Sequence, residues 1–101
     1  MKKVTINNVI INYLDNFSRS YDFNSEPYSE NINLTVQIEN VDALVALQKS
    51  KITDIVIRDG EDDIYSIHNL DGKITYINES INNNNRKMTN IQIKVNHEVD
   101  E

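Results

Sequence analysis

Apolar and polar residues alternate most cleanly over residues 31–39, where Ile32, Leu34, Val36 and Ile38 share one side and polar residues fill the other. Successive side chains of a strand point to opposite faces, so this period of two predicts a half-buried β-strand. A second run, 87–96, sets Ile91, Ile93 and Val95 against Asn90, Gln92, Lys94 and Asn96. At the N-terminus, apolar residues flank Asn7-Asn8. Asn tolerates positive φ, so the pair predicts a tight hairpin of 3–6 with 9–14. Three further strands are expected at 52–58, 64–68 and 74–78. The first two end at Asp59-Gly60 and near Asp71-Gly72, both suited to hairpin turns. Residues 52–96 therefore read as a four-stranded antiparallel meander, with a polar loop tip at 82–85.

One segment has the helical period instead. Val41, Leu44, Val45 and Gln48 fall at i, i+3, i+4 and i+7, and Leu47 widens the stripe. Asn40 suits the N-cap, Asp42 the first turn, and Lys49 and Lys51 the end, each matching the helix dipole. A helix over 41–49 is too short to persist alone and needs a sheet to pack against. The fold class is mainly β (α+β): an antiparallel sheet, or a small barrel or sandwich, with one short helix against it. A chain of 101 residues suits a single domain, 1–101. Residues 97–101 are expected to form a frayed acidic tail.

Composition narrows the chemistry. There is no cysteine, which removes thiolate nucleophiles, disulfides and Cys-based zinc sites together. Sixteen acids against ten bases give a net charge of −6, which disfavours direct contact with nucleic acid. No apolar run reaches the roughly 20 residues of a membrane span, and residues 1–20 lack the pattern of a secretion signal. The expected setting is cytoplasmic. The Asn/Ile/Lys/Tyr bias is that of an AT-rich coding sequence, which points to a low-GC bacterium or one of its phages.

Catalytic motifs are missing. His68 and His97 fall in different elements with no HExxH or Gly-x-Ser-x-Gly companion. Gly60 and Gly72 stand alone, so no phosphate-cradling loop forms. The run Asp59-Gly60-Glu61-Asp62-Asp63 lacks the alternating ligands and closing Glu of a calcium loop, even with Asp71 near. It reads as a solvated hairpin turn, or as a contact patch (Asp59, Glu61, Asp62, Asp63) for a basic partner. No enzyme activity, cofactor or metal is expected.

Residues 16–30 carry more information. Phe17, Tyr21, Phe23 and Tyr28 are four of the seven aromatics in the chain, and Arg19 lies among them. Tyr and Arg are enriched at binding hot spots, so the segment is a candidate partner-binding loop. The alternative is a strand over 18–23, with Phe17, Arg19, Tyr21 and Phe23 alternating with polar neighbours and the aromatics in the core or on a sheet face.

The opening V-T-I-N-N-V and the passage L-T-V-Q-I-E-N-V-D-A-L-V-A-L-Q, in this order of elements, resemble small structural proteins of bacteriophage tails and prophages. The resemblance implies assembly into a ring or stack through sheet edges and loops, in the host bacterial cytoplasm or the virion. It further implies a tail-associated structural or assembly role, through contacts with a protein partner or with further copies of itself. A second expectation fits the size and charge: a small acidic inhibitor, of anti-defence or immunity type, that blocks a basic site. An inhibitor of that kind concentrates its acids, whereas Asp15, Asp22, Glu39, Asp54 and Glu79 are scattered here, which favours the structural reading.

Overall fold

The computed structural model describes residues 2–11, 13–24, 26–38 and 42–97. Eight strands and one helix follow in the order β1 (Lys2–Ile6), β2 (Val9–Ile11), β3 (Tyr13–Asp22), β4 (Ser29–Gln37), α1 (Asp42–Gln48), β5 (Ile55–Asp59), β6 (Asp62–Ile67), β7 (Gly72–Ile81) and β8 (Lys87–Val95). They form two four-stranded antiparallel sheets. The first has the order β2-β1-β5-β6 and the second β3-β4-β8-β7. The fold class agrees with the sequence reading: mainly β, with one short helix.

The alternation read from the sequence sets the core. In β4, Ile32, Leu34 and Val36 are buried; in β8, Ile91, Ile93 and Val95; in β1, Val4 and Ile6. Ile55, Ile57 and Ile67 join them from the first sheet, and Leu44 and Leu47 from α1. Each such side chain contributes about 1.5–3 kcal/mol by leaving water. The helix lies against β7. Its buried stripe is Leu44 and Leu47, while Val45 and Gln48 face out, so the expected Val45 face is rotated. The larger leucine pair, one turn apart, takes the core. The helix described is Asp42–Gln48, against the expected 41–49; Val41 and the proposed N-cap, Asn40, lie outside the described residues.

The Asn7-Asn8 turn forms as expected. Ile6 pairs with Val9 across two residues at positive φ, 49° and 70°. The expected partner strand 9–14 does not run through, however. Ile11 ends the first sheet and Tyr13 begins the second.

The meander over 52–96 does not form either. β5 pairs with β6 and β7 with β8, but β6 and β7 belong to different sheets. The reason lies in residues 69–72. Asn69 takes positive φ (59°), Leu70 drops into the core, and Leu70 N–H donates to the Thr53 carbonyl at 3.0 Å. Ile52 and Gly72 exchange backbone hydrogen bonds of 2.8 and 3.0 Å. The crossover is thus tied to residues 52–53 and leads into the second sheet. Gly72 is a close-approach glycine, not a turn glycine. A Cβ there would lie 3.0 Å from Ile93 Cγ2 and 3.2 Å from the Ile52 carbonyl oxygen. Asn7 braces the same connection: its Oδ1 accepts from Thr53 N at 2.8 Å and its Nδ2 donates to the Lys51 carbonyl at 2.7 Å.

A candidate interaction surface along strand β3

The strand expected over 18–23 forms but with other bounds: β3 starts at Tyr13 and ends at Asp22, so Phe17, Arg19 and Tyr21 lie in it while Phe23 and Tyr28 fall between β3 and β4. β3 is an edge: among the described residues its backbone pairs with β4 alone. The aromatics are not core residues, apart from the partly buried Phe17. Tyr21 is 44% exposed, Phe23 73% and Tyr28 37%. They gather at one end of the second sheet. Tyr21 and Phe23 stack at 6.0 Å between ring centroids, Phe23 and Tyr28 meet at 5.3 Å, and Tyr28 stacks on His97 at 4.4 Å. Each aromatic pair of this kind contributes about 0.5–1.5 kcal/mol beyond burial.

The register explains what anchors the cluster. On the inner face, Tyr21 lies opposite Glu30, which lies opposite Val95, and Arg19 lies opposite Ile32. Glu30 therefore occupies a core position, fully buried. Arg19 Nε and Nη2 both reach its Oε1, and His97 Nε2 lies 3.2 Å from its Oε2. Arg19 Nη1 donates to the Tyr65 hydroxyl of β6 at 2.9 Å, and Phe17 packs on the Tyr65 ring at 5.3 Å. The network thus ties the edge of one sheet to the other.

Burial alone would raise the Glu30 carboxyl. Hydrogen bonds and charge from Arg19, with hydrogen bonds from His97 and Tyr21, outweigh it and hold the group below its ordinary value. Burial works the other way on Arg19, and the Glu30 carboxylate outweighs it, raising the guanidinium further. Tyr21 is raised by burial and by the nearby Glu30 charge. His97, expected in a frayed tail, is instead fastened at Glu30; residues 98–101 lie outside the described residues.

Beside Phe17, a cleft of about 300 Å³ opens between the sheets, lined by Leu14, Asp15, Ile57, Ile64 and Tyr65 among others. It begins where β3 bulges between Leu14 and Asn16. Surface, cleft and network form one continuous strip, joined through Tyr65. Tyr65 and Glu30 were missed by sequence reasoning. Glu30 had a signal: it is in phase with Ile32, Leu34 and Val36. Tyr65 had none, because its partners come from another sheet.

The acidic residues Asp59, Glu61, Asp62 and Asp63 are exposed at the tip of the β5–β6 hairpin, where Gly60 takes φ 65°. Their charge is partly offset. Arg58 Nε lies 2.6 Å from Asp63 Oδ1, and Lys2 is the cross-strand neighbour of Asp59. Among the described residues, no group of three or more His, Asp or Glu could hold a metal ion.

His68 Nδ1 lies 2.8 Å from Asp54 Oδ1, and hydrogen bonds from His68 and then Thr53 lower the Asp54 carboxyl. Each histidine thus has a carboxylate partner. Among the described residues, no hydroxyl is hydrogen-bonded to either ring. Likewise among these residues, no helix is long and apolar enough to cross a membrane. No protein-family model matches the chain, and no curated protein matches it significantly.

Proposed function

We propose that the protein is a non-enzymatic assembly protein of the phage or prophage tail-associated kind, working through contacts with a protein partner or with further copies of itself. The observation that carries this reading is the exposed aromatic cluster Tyr21, Phe23 and Tyr28, held in place by a buried ionic network at the end of an open strand edge. Large aromatics that are rigid before binding lose little entropy when covered, which is why such residues dominate interfaces. The unpaired N–H and C=O groups of β3 can accept an added strand. The Leu14–Asn16 bulge confines that addition to residues 16–22. Arg19 points inward to Glu30 and leaves the edge clear. A ring or stack needs two complementary patches on one subunit, and the cleft beside Tyr65 supplies a recess for a neighbour's side chain.

Light scattering over a wide concentration range, followed by negative-stain imaging, tests this. Rings, tubes or a fixed oligomer are expected, and Phe23→Asp should disperse them without unfolding the exposed site. A monomer at every concentration overturns self-assembly. If that monomer captures a basic protein and loses it on charge reversal at Glu61, Asp62 and Asp63, the acidic-inhibitor reading takes its place.

A further inference from the structure

The outer face of the second sheet differs from the rest of this acidic surface. The register places its residues in cross-strand rows. Ser18, Asn33, Gln92 and Tyr76 form one row, and Asn16, Thr35, Asn90 and Asn78 the next. None of these eight carries a charge, in a chain with 26 charged residues. None is aliphatic. Lys73 and Lys94 lie one row away, beside Asn31 and Ser20.

Some of the polar groups are held. Thr35 Oγ1 donates to Asn90 Oδ1 at 2.9 Å, and Asn90 Nδ2 donates to Ser80 Oγ at 3.1 Å. Asn78 Nδ2 donates to the Tyr76 hydroxyl at 2.8 Å, which lays the ring along β7 with Tyr76 still 53% exposed. The side chains of Asn33, Gln92, Asn16 and Ser18 make no hydrogen bond within the described residues. A shallow cleft of about 280 Å³ runs between Asn33, Thr35, Tyr76, Asn90 and Gln92.

We propose that this face binds a neutral oligosaccharide laid across the strands. An amide offers donors and an acceptor together, and so does each sugar hydroxyl. Tyr76 adds an aromatic surface with a polar tip, suited to the C–H face of a pyranose ring. The missing charge argues for an uncharged ligand. A phosphate backbone would meet a protein of net charge −6 with two lysines at the margin. A protein hot spot would want an apolar centre that these rows lack. The face lies opposite the buried network, so the inference stands independently of the assembly role.

The test is a titration of ¹⁵N-labelled protein with four neutral tetrasaccharides: cellotetraose, maltotetraose, mannotetraose and tetra-N-acetylchitotetraose. At least one should shift the side-chain amides of Asn33, Asn90 and Gln92, with a dissociation constant of about 1 mM or tighter. Tyr76→Ala should weaken that binding about tenfold. Phe23→Ala, on the other surface, should leave it unchanged. No response to any of the four at about 10 mM overturns the proposal. So does binding that survives Tyr76→Ala. Shifts that follow protein concentration alone also overturn it, because they assign the face to contacts between copies.

Discussion

Glu30 lies fully buried on the inner face of the second sheet, with Arg19, His97 and Tyr21 around it, whereas Asp59, Glu61, Asp62 and Asp63 stand in water at the tip of the β5–β6 hairpin. By count, the sequence draws the eye to the tip. By energy, the single carboxylate matters more. Charges in water at a hairpin tip interact through a high dielectric and are screened by salt. A carboxylate inside must find its partners or leave several kcal/mol of desolvation uncompensated. The lone acid therefore organises its surroundings: it draws Arg19 inward, fastens His97 and seats the aromatic cluster above it.

The largest expected effect comes from breaking that arrangement on one side. Arg19→Met leaves Glu30 buried with its main counter-charge gone and should cost about 3–5 kcal/mol in urea unfolding. Arg19→Met combined with Glu30→Leu should recover most of the loss, because an apolar pair needs no solvation at that position. A double variant as unstable as the single one would show that Arg19 acts through packing against Tyr65 rather than through Glu30.

How much of this was legible follows from which residues meet within one strand pair and which across sheets. The alternation at Ile32, Leu34 and Val36, and again at Ile91, Ile93 and Val95, placed both strands and their buried faces. Asn7-Asn8 placed the first turn. Those are local signals. The meander reading failed at Asp71-Gly72, because a turn-like dipeptide there serves a close approach to Ile52 and Ile93. No local pattern announces a partner twenty residues away. The aromatic segment was visible by composition, and its exposure was not. Alternation tells which residues share a face, but on an edge strand a residue opposite a buried position can itself stay exposed, as Tyr21 does opposite Glu30.

Glu30 also makes stability depend on pH in a defined direction. Its carboxyl titrates lower in the folded protein than in the unfolded chain, whose ordinary value is 4.5. The stabilisation is therefore complete above that value and is lost as pH falls through the folded value. Wild type should lose stability more steeply than Glu30→Gln over that acid range, as followed by thermal melts. Parallel curves would mean that the carboxylate is not the group being titrated.

Among the described residues, Thr89 is the other buried polar one, and it sharpens the contrast within the same face. Thr89 sits two rows from Ile93, opposite Val36 and Glu79, and its Oγ1 is buried with no hydrogen-bond partner among the described residues. Glu30 is satisfied, and Thr89 is not. Thr89→Val keeps the shape and removes the orphan oxygen, so it should stabilise the protein by about 1 kcal/mol. A loss instead would imply that the hydroxyl has a partner in solution.

The acidic tip should give the smallest effects, and their signs should differ from residue to residue. Asp59 and Asp62 are direct cross-strand neighbours, two like charges facing one another. Asp62→Asn removes that repulsion and should stabilise by about 0.2–0.5 kcal/mol. Asp63→Asn removes the partner of Arg58, exposed on both sides, and should cost about 0.2–1 kcal/mol. Both shifts should shrink in 1 M salt, where the screening length is about 3 Å. If either exceeded the Arg19→Met effect, the ranking of buried over exposed charge argued from Glu30 would be reversed, and the tip would have to be coupled to the core through Arg58 and its β1 neighbour Lys3.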